Sequence, residues 1–262
     1  MNIQDNNAFP DSKWIRFPFI HLANRNKNVP PALHTFFRRS FNFARMPESA
    51  VLKISADDFA KLYVNGTLAW LGPAPGYLHR YYYAKIDIRP FLHEGANALA
   101  VHSYYQGLVN RVWNSGDDLY GIIAELELAY PDGSSEKIIS DDSWRCFRCD
   151  AYRAERKIGY DTQFAEDIDQ RLIPAGWRKT SFPDSSWIAP ECVPDGTYPH
   201  KMVLQETPPL EFSEVKPVMW KVGGVGALLY DFGKEIVGSA VIKLDVPAGT
   251  LIEVRHAEEL DS

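Results

Sequence analysis

The amino-acid sequence predicts an all-β protein: a jelly-roll β-sandwich, then the first strands of a second sandwich. Three observations carry this. Short alternating or apolar runs recur along the chain, separated by Gly, Pro, Asn and Asp. Helical periodicity is scarce. Aromatic residues reach 13%, an excess that suits sandwiches, whose inner faces bury flat rings, and also sugar-binding surfaces.

Taken in order, the runs are Thr35 to Phe43, Ala50 to Ser55, Lys61 to Val64, Tyr81 to Ile88, Asn97 to Tyr104, Ile122 to Tyr130 and Lys137 to Ser140. Asn65-Gly66 between Leu62-Tyr63-Val64 and Thr67-Leu68-Ala69-Trp70 predicts a hairpin, because both central residues of a type I′ turn need positive φ. Pro131-Asp132-Gly133 predicts a second turn. Ser140-Asp141-Asp142-Ser143-Trp144 and Pro183-Asp184-Ser185-Ser186-Trp187 share an acidic-Ser-Trp core. Side-chain oxygens there fold back onto backbone N–H groups and deliver each Trp into the sandwich. Ile158 to Arg171 is the most helix-like or irregular stretch, ended by Pro174 and Gly176.

The first sandwich is expected over residues 12–205, a stiff linker with Pro208-Pro209 over 206–215, and an incomplete second domain over 216–262. In that last segment Tyr230 to Gly238 with the run Ser239 to Asp245, then Val246-Pro247-Ala248-Gly249-Thr250, then Leu251 to Ser262 read as strand, turn, strand. Leu251 to His256 alternates toward one buried face and needs partners. The expectation is that the chain ends inside a domain and is a piece of something larger.

A net charge of -6 and a pI near 5.7 supply no basic field for nucleic acid or anionic lipid. Met1 to Pro10 is polar, and no run is long enough for a membrane span, so a cytoplasmic location is expected. Cys146, Cys149 and Cys192 make no disulfide framework and read as reduced thiols; Cys146 and Cys149 lack the second ligand pair of a zinc site.

Chemistry-bearing patterns are sparse. The seven histidines, His21, His34, His79, His93, His102, His200 and His256, show no helical metal spacing. Asp161, Glu166, Asp167 and Asp169 form the densest acidic cluster, readable as a solvated turn or as oxygen ligands for calcium, with Asp161, Glu166 and Asp169 as the candidates. No other cofactor is called for. Gly223-Gly224-Val225-Gly226 lacks the Lys-Ser/Thr and helix of a phosphate loop. The carboxylate neighbours Asp117-Asp118 and Glu258-Glu259 would point to opposite faces of a strand, so no catalytic residue is assigned.

Carbohydrate binding needs aromatic faces for sugar C–H surfaces and planar polar groups for hydroxyls. Tyr77, Tyr81, Tyr82, Tyr83, Tyr104, Tyr105 and Trp113 lie on or beside expected loops and read either as core or as such platforms, with Tyr81 and Trp113 the candidates. A run such as Tyr81-Tyr82-Tyr83 must turn at least one ring outward.

Phe37-Arg38-Arg39-Ser40-Phe41, Ala50 to Asp57, Leu62-Tyr63-Val64-Asn65-Gly66, Tyr82 to Ile88 and Leu92 to Val101 together resemble the N-terminal β-sandwich of bacterial α-L-rhamnosidases of glycoside hydrolase family 78. Tyr120-Gly121, Tyr160-Asp161, Gly176-Trp177 and Asp184 to Trp187 continue the resemblance. Asp231 to Gly238, Ala248-Gly249-Thr250 and Arg255 to Leu260 resemble the start of a following concanavalin-like β-sandwich. The resemblance implies a galactose-binding-like sandwich. It also implies a parent enzyme whose acidic catalytic residues sit in a later (α/α)6 barrel and hydrolyse α-L-rhamnosides by inversion. This chain is then a non-catalytic accessory region, whose partners are that barrel and a rhamnosyl oligosaccharide or glycoside. Related domains bind rhamnose with calcium, which implies Tyr160, Asp161 and Trp187 as sugar-site candidates. A stand-alone carbohydrate-binding module is the alternative. An accessory sandwich of another glycosidase, such as a β-galactosidase-like enzyme, shares the Asn-Gly hairpin and Asp-Ser-Trp turns but not the closing segment.

Overall fold

The computed structural model describes residues 8–19, 29–109, 118–223 and 226–257. It divides into two compact units, Met1–Leu210 and Glu211–Ser262. In the first unit, one sheet uses β1 (Ile15–Arg16), β3 (Ser49–Asp57), β6 (Tyr81–Asp87), β8 (Gly121–Ala129), β9 (Ser135–Ile139), β13 (Glu191–Cys192) and β14 (Met202–Leu204). Its order is β13-β1-β8-β3-β6-β14, with β9 on β8; β14 joins β6 in parallel and the other pairs are antiparallel. The second sheet uses β2 (Leu33–Phe43), β4 (Phe59–Val64), β5 (Thr67–Gly72), β7 (Gly95–Tyr105) and β10 (Arg145–Arg148), ordered β10-β2-β7-β4-β5.

Alternation puts one side of every strand into the space between the sheets. Leu52, Ile54, Ala56, Ile122, Ala124, Leu126 and Leu128 come from the first sheet. Phe37, Leu62, Val64, Leu99 and Val101 come from the second. Fully burying one such aliphatic or aromatic side chain contributes about 1.5–3 kcal/mol, so this shared face is the main source of cohesion.

The turn chemistry follows the sequence. Asn65 and Gly66 have φ of 52° and 91° and join β4 to β5. The Asn65 amide also donates to the Phe91 carbonyl and to Asn97 Oδ1, each at 2.8 Å, so this turn is fixed from beneath as well. Gly133, φ 82°, closes the turn between β8 and β9. In the first Trp motif the Ser143 N–H donates to Asp141 Oδ1 at 2.9 Å. Trp144 is fully buried in the main core, and its indole N–H donates to the Ile139 carbonyl at 2.8 Å. Cys146, Cys149 and Cys192 are free thiols, and burial pushes Cys146 up to about 12.

Two expectations are corrected. Ile158 to Arg171 is not helix-like: β11 (Tyr152–Ile158) and β12 (Gln163–Ile168) form an antiparallel hairpin. Gly159, Tyr160 and Asp161 all take positive φ, 59°, 58° and 62°, and reverse the chain in a space that no helix could use. A single 3-10 turn, Gln170–Leu172, follows. In the second unit, β15 (Met219–Val222) pairs with β16 (Leu228–Asp231). The expected strands Ser239 to Asp245 and Leu251 to His256 are absent among the described residues. A strand is stabilised by its ladder and by burial of one face; Val241 and Leu251 are exposed, and no ladder reaches them. The turn at Val246 to Thr250 does form, with Gly249 at φ 86°.

Candidate functional site

Both sheets carry polar and aromatic side chains on the faces turned away from the main core, and a loop segment covers each. Over the first sheet lie residues 8–14 and 193–201, the second of which crosses from β13 at one edge to β14 at the other. Between them opens a cleft of about 360 Å³. Phe9, Ser12, Trp14, Asp195, Tyr198 and Lys201 contribute to its lining. His200 Nε2 stands 2.9 Å from Asp57 Oδ2 at the cleft wall, with the two side chains 1% and 4% exposed. The imidazole stacks on Tyr81 at 4.0 Å and meets Trp14 edge-on at 5.3 Å. Tyr198 packs on Trp14 at 4.9 Å and donates its hydroxyl to the Tyr120 carbonyl at 2.6 Å. Burial pushes the Tyr198 phenol up to about 12, so it stays a protonated donor. At the rim Lys13 Nζ holds both carboxylate oxygens of Asp195, at 2.8 and 2.7 Å.

Over the second sheet lie the hairpin β11–β12 and the segment after it. His34 and His102, on adjacent strands β2 and β7, share a hydrogen bond of 2.8 Å between Nδ1 and Nε2. One ring must donate and the other accept, so the accepting ring is neutral, and burial disfavours a charge on either. Burial lowers His34 to about 3 and takes His102 well below its ordinary value. Tyr152 of β11 stacks on His34 at 4.1 Å. Beyond this pair Phe36 stacks flat on Trp177 at 4.1 Å, with Trp187 and Phe147 against them. Arg38, fully buried, binds the Trp177 and Lys179 carbonyls and Asp184.

The sequence candidates are distributed over these surfaces rather than gathered at one. Tyr81 is buried, its hydroxyl donating to the Ala56 carbonyl at 3.0 Å, and it packs against the cleft residues His200 and Trp14. Tyr83 is also buried, and only Tyr82 of that run turns partly outward, under Arg80. Trp187 is a packing residue of the cluster around Phe36. Tyr160 is 90% exposed at the hairpin tip beside Asp161. Trp113 lies outside the described residues.

The calcium candidates do not come together. Asp161 is at the tip; Glu166 is on β12, with Oε1 3.9 Å from His34 Nε2; Asp169, at the hairpin base, is engaged by Arg171 at 2.6 Å. Among the described residues no group of three or more His, Cys, Asp or Glu side chains is placed to hold a metal ion. Asp161, Glu166 and Asp169 therefore do not form one shared set of oxygen donors.

Sequence reasoning missed Trp14, His200 and the His34–His102 pair. Their partners are distant in the chain: His200 meets Asp57, and His34 meets His102 across a diagonal of the β2–β7 register, in which Phe36 faces His102 and His34 faces Tyr104. The usable signal was the alternation itself, which puts His34, Phe36 and Arg38 on one face of β2.

The family model for the alpha-L-rhamnosidase N-terminal domain matches residues 45–214. The chain belongs to this family. A curated α-L-rhamnosidase of Streptomyces avermitilis is 31% identical over 72% of this chain and 18% of its own length. One from Formosa agariphila is 26% identical over 99% of this chain and 29% of its own length. Among solved structures, the glycoside hydrolase family 78 rhamnosidase of Bacillus sp. GL1 superposes with a TM-score of 0.68 at 25% identity, covering 80% of this chain and 21% of that one. An α-L-rhamnosidase from Dictyoglumus thermophilum shares the fold, with a TM-score of 0.62 at 23% identity. The chain thus spans between about a fifth and a third of the length of these relatives. The matched rhamnosidase N-terminal domain includes Asp57, His102, the covering hairpin and the loop from Val193 to Met202, whereas Phe9, Trp14 and His34 precede it.

Proposed function

We propose that this chain is the non-catalytic N-terminal region of an α-L-rhamnosidase, an accessory sandwich that supports the enzyme's catalytic barrel and helps hold rhamnosyl substrate. The parent enzyme hydrolyses terminal α-L-rhamnosides with inversion. The observation that carries this reading is the family match over residues 45–214 in a chain that spans only 18% and 29% of two full-length relatives. The geometry is consistent with it. The acidic side chains near the cleft are tied down, Asp57 to His200 and Asp195 to Lys13, and present no acid and base flanking a substrate bond.

The test is an assay of the purified chain on a nitrophenyl α-L-rhamnoside. No turnover is expected, and measurable hydrolysis by clean protein overturns the reading. Titration calorimetry with L-rhamnose, with and without calcium, examines the sugar contact. Weak binding indifferent to calcium is expected, since Asp161, Glu166 and Asp169 stand apart.

A further inference from the structure

We propose that the cleft on the outer face of the first sheet is a binding site for one neutral pyranose unit, with the indole of Trp14 as its platform. Size comes first. At about 360 Å³ the cleft lies at the low end of small-ligand pockets, roughly 300–1,000 Å³, which matches a single sugar ring rather than a nucleotide or an extended chain. Chemistry follows. Sugars present a C–H face and a rim of hydroxyls, and the cleft offers both complements. Trp14 and Phe9, each half-buried, supply the apolar side. Ser12, the Lys13–Asp195 pair and Lys201 supply donors and acceptors around it.

Charge selects among ligands of this size. Asp195 and Lys201 are the acidic and basic side chains of the lining, one of each, and Asp195 is already matched by Lys13. A phosphate or carboxylate ligand would find a single ammonium, Lys201, beyond the Lys13–Asp195 pair, and would face the Asp195 carboxylate as well. A neutral polyol can accept from the ammonium and donate to the carboxylate without displacing either.

Rigidity is the third argument. A binding platform works when its rotamer is locked by packing behind it. Trp14 touches three rings, Tyr198 at 4.9 Å, His200 at 5.3 Å and Tyr81 at 6.5 Å. Those rings are themselves anchored, His200 to Asp57, Tyr81 to the Ala56 carbonyl and Tyr198 to Tyr120. Together they wedge the indole upright while leaving part of it uncovered. The Trp14 platform is a separate place from the hairpin tip at Tyr160 and Asp161, which lies over the other sheet.

The inference deepens the sugar-handling part of the proposed function, and its failure is separable from that of the whole reading. The experiment is a titration of the ¹⁵N-labelled chain with L-rhamnose and, as a second arm, D-glucose, followed by amide and indole NMR signals. The Trp14 indole and the Gly196 amide are expected to move together with a millimolar midpoint in at least one arm, while the Tyr160 and Asp161 amides stay still. Asp195→Ala, at an exposed rim position, should keep the spectrum of the fold and weaken that midpoint about threefold or more; Trp14→Ala should abolish the movement. Still signals at Trp14 and Gly196 in both arms overturn the inference, as does movement confined to Tyr160 and Asp161, or a midpoint unchanged in Asp195→Ala and in folded Trp14→Ala. Each of those results leaves the inactivity of the chain on rhamnosides standing.

Discussion

Arg38 Nε lies 3.0 Å from Asp184 Oδ2, and this contact joins the middle of the second sheet to the turn that delivers Trp187. The guanidinium is fully buried and spends its other donors on the Trp177 and Lys179 carbonyls and on Ser40. Phe182 covers it at 5.2 Å. One side chain therefore fixes most of the segment 177–184 against β2. Arg38→Ala should destabilise the first unit by about 3 kcal/mol, because it strands buried carbonyls and a carboxylate at once. Removing Asp184 as well should recover part of the loss, since Asp184 is then no longer an unmatched charge. Urea unfolding of the two single variants and the double variant measures this. Strictly additive losses would mean that Arg38 and Asp184 do not act on one another.

The His34–His102 pair makes stability depend on pH in one direction. Both rings are held neutral by burial, with Lys61 nearby opposing a further positive charge and Arg178 doing so at His102. Glu166 is the facing carboxylate, but at 3.9 Å it is outside hydrogen-bond reach and half exposed, so burial prevails. In the unfolded chain an imidazole titrates near pH 6.5. Below that pH the unfolded state takes up protons that the folded rings refuse, so stability falls between about pH 6.5 and 3 and is intact above it. Each histidine steepens the fall by up to about 1.4 kcal/mol per pH unit. His34→Phe keeps a ring between Tyr104 and Tyr152 and should flatten the acid limb of a stability-against-pH curve. An unchanged limb would place the acid sensitivity elsewhere.

Much of the sandwich was legible because its signals are local. Alternation marked each long strand, and Asn65-Gly66 marked its own turn through a φ requirement that neighbours cannot alter. The Trp144 turn was legible for the same reason, since Asp141 and Ser143 satisfy one another within two residues. The hairpin β11–β12 was not, because its exposed run Arg153 to Lys157 is charged at every position but Ala154 and its apolar side is too short to show alternation. The candidate site was legible only in kind. Aromatic excess pointed to sugar, but the aromatic triplet at Tyr81 turned out to brace the platform from behind. Trp14 itself sits in a segment with no periodic pattern. Its role comes from contacts with Tyr198 and His200, more than 180 positions away, which local sequence does not encode.

At Gly121 the backbone of β8 runs close against the Ile15 carbonyl of β1. Gly121 has φ of 123°, and a Cβ added there would overlap the carbonyl oxygen of Ile15. That carbonyl belongs to backbone, which cannot swing aside as a flexible side chain would. Ile15 is also fully buried in the main core, so moving it would open the sandwich at its edge. Gly121→Ala should therefore cost more than the roughly 1 kcal/mol of a strained φ alone. A drop of about 2–3 kcal/mol in thermal or urea unfolding is expected, against about 0.5 kcal/mol or less at an exposed position. A neutral result would show that β1 is free to detach from β8 without consequence for the fold.

Amide exchange should separate the two units sharply. In the first, β2, β3, β7 and β8 lie inside their sheets with ladders on both sides and buried faces. Their amides open only with cooperative unfolding and should exchange slowest. In the second, the described ladder is that between β15 and β16, and a two-stranded hairpin is marginal on its own. Trp220, Val222 and Leu228 on that hairpin are exposed, as are Val237, Val241 and Leu251 beyond it. Residues 239–257 should therefore reach full exchange within the dead time of a manual experiment, with the β15–β16 amides next. Protection of Leu251 to His256 equal to that of β7 would mean that these residues had found a partner strand in solution, as a chain with so many exposed apolar side chains could do by pairing with a second copy of itself. Exchange measured over a range of protein concentrations distinguishes the two, because pairing between copies strengthens with concentration and protection within one chain does not.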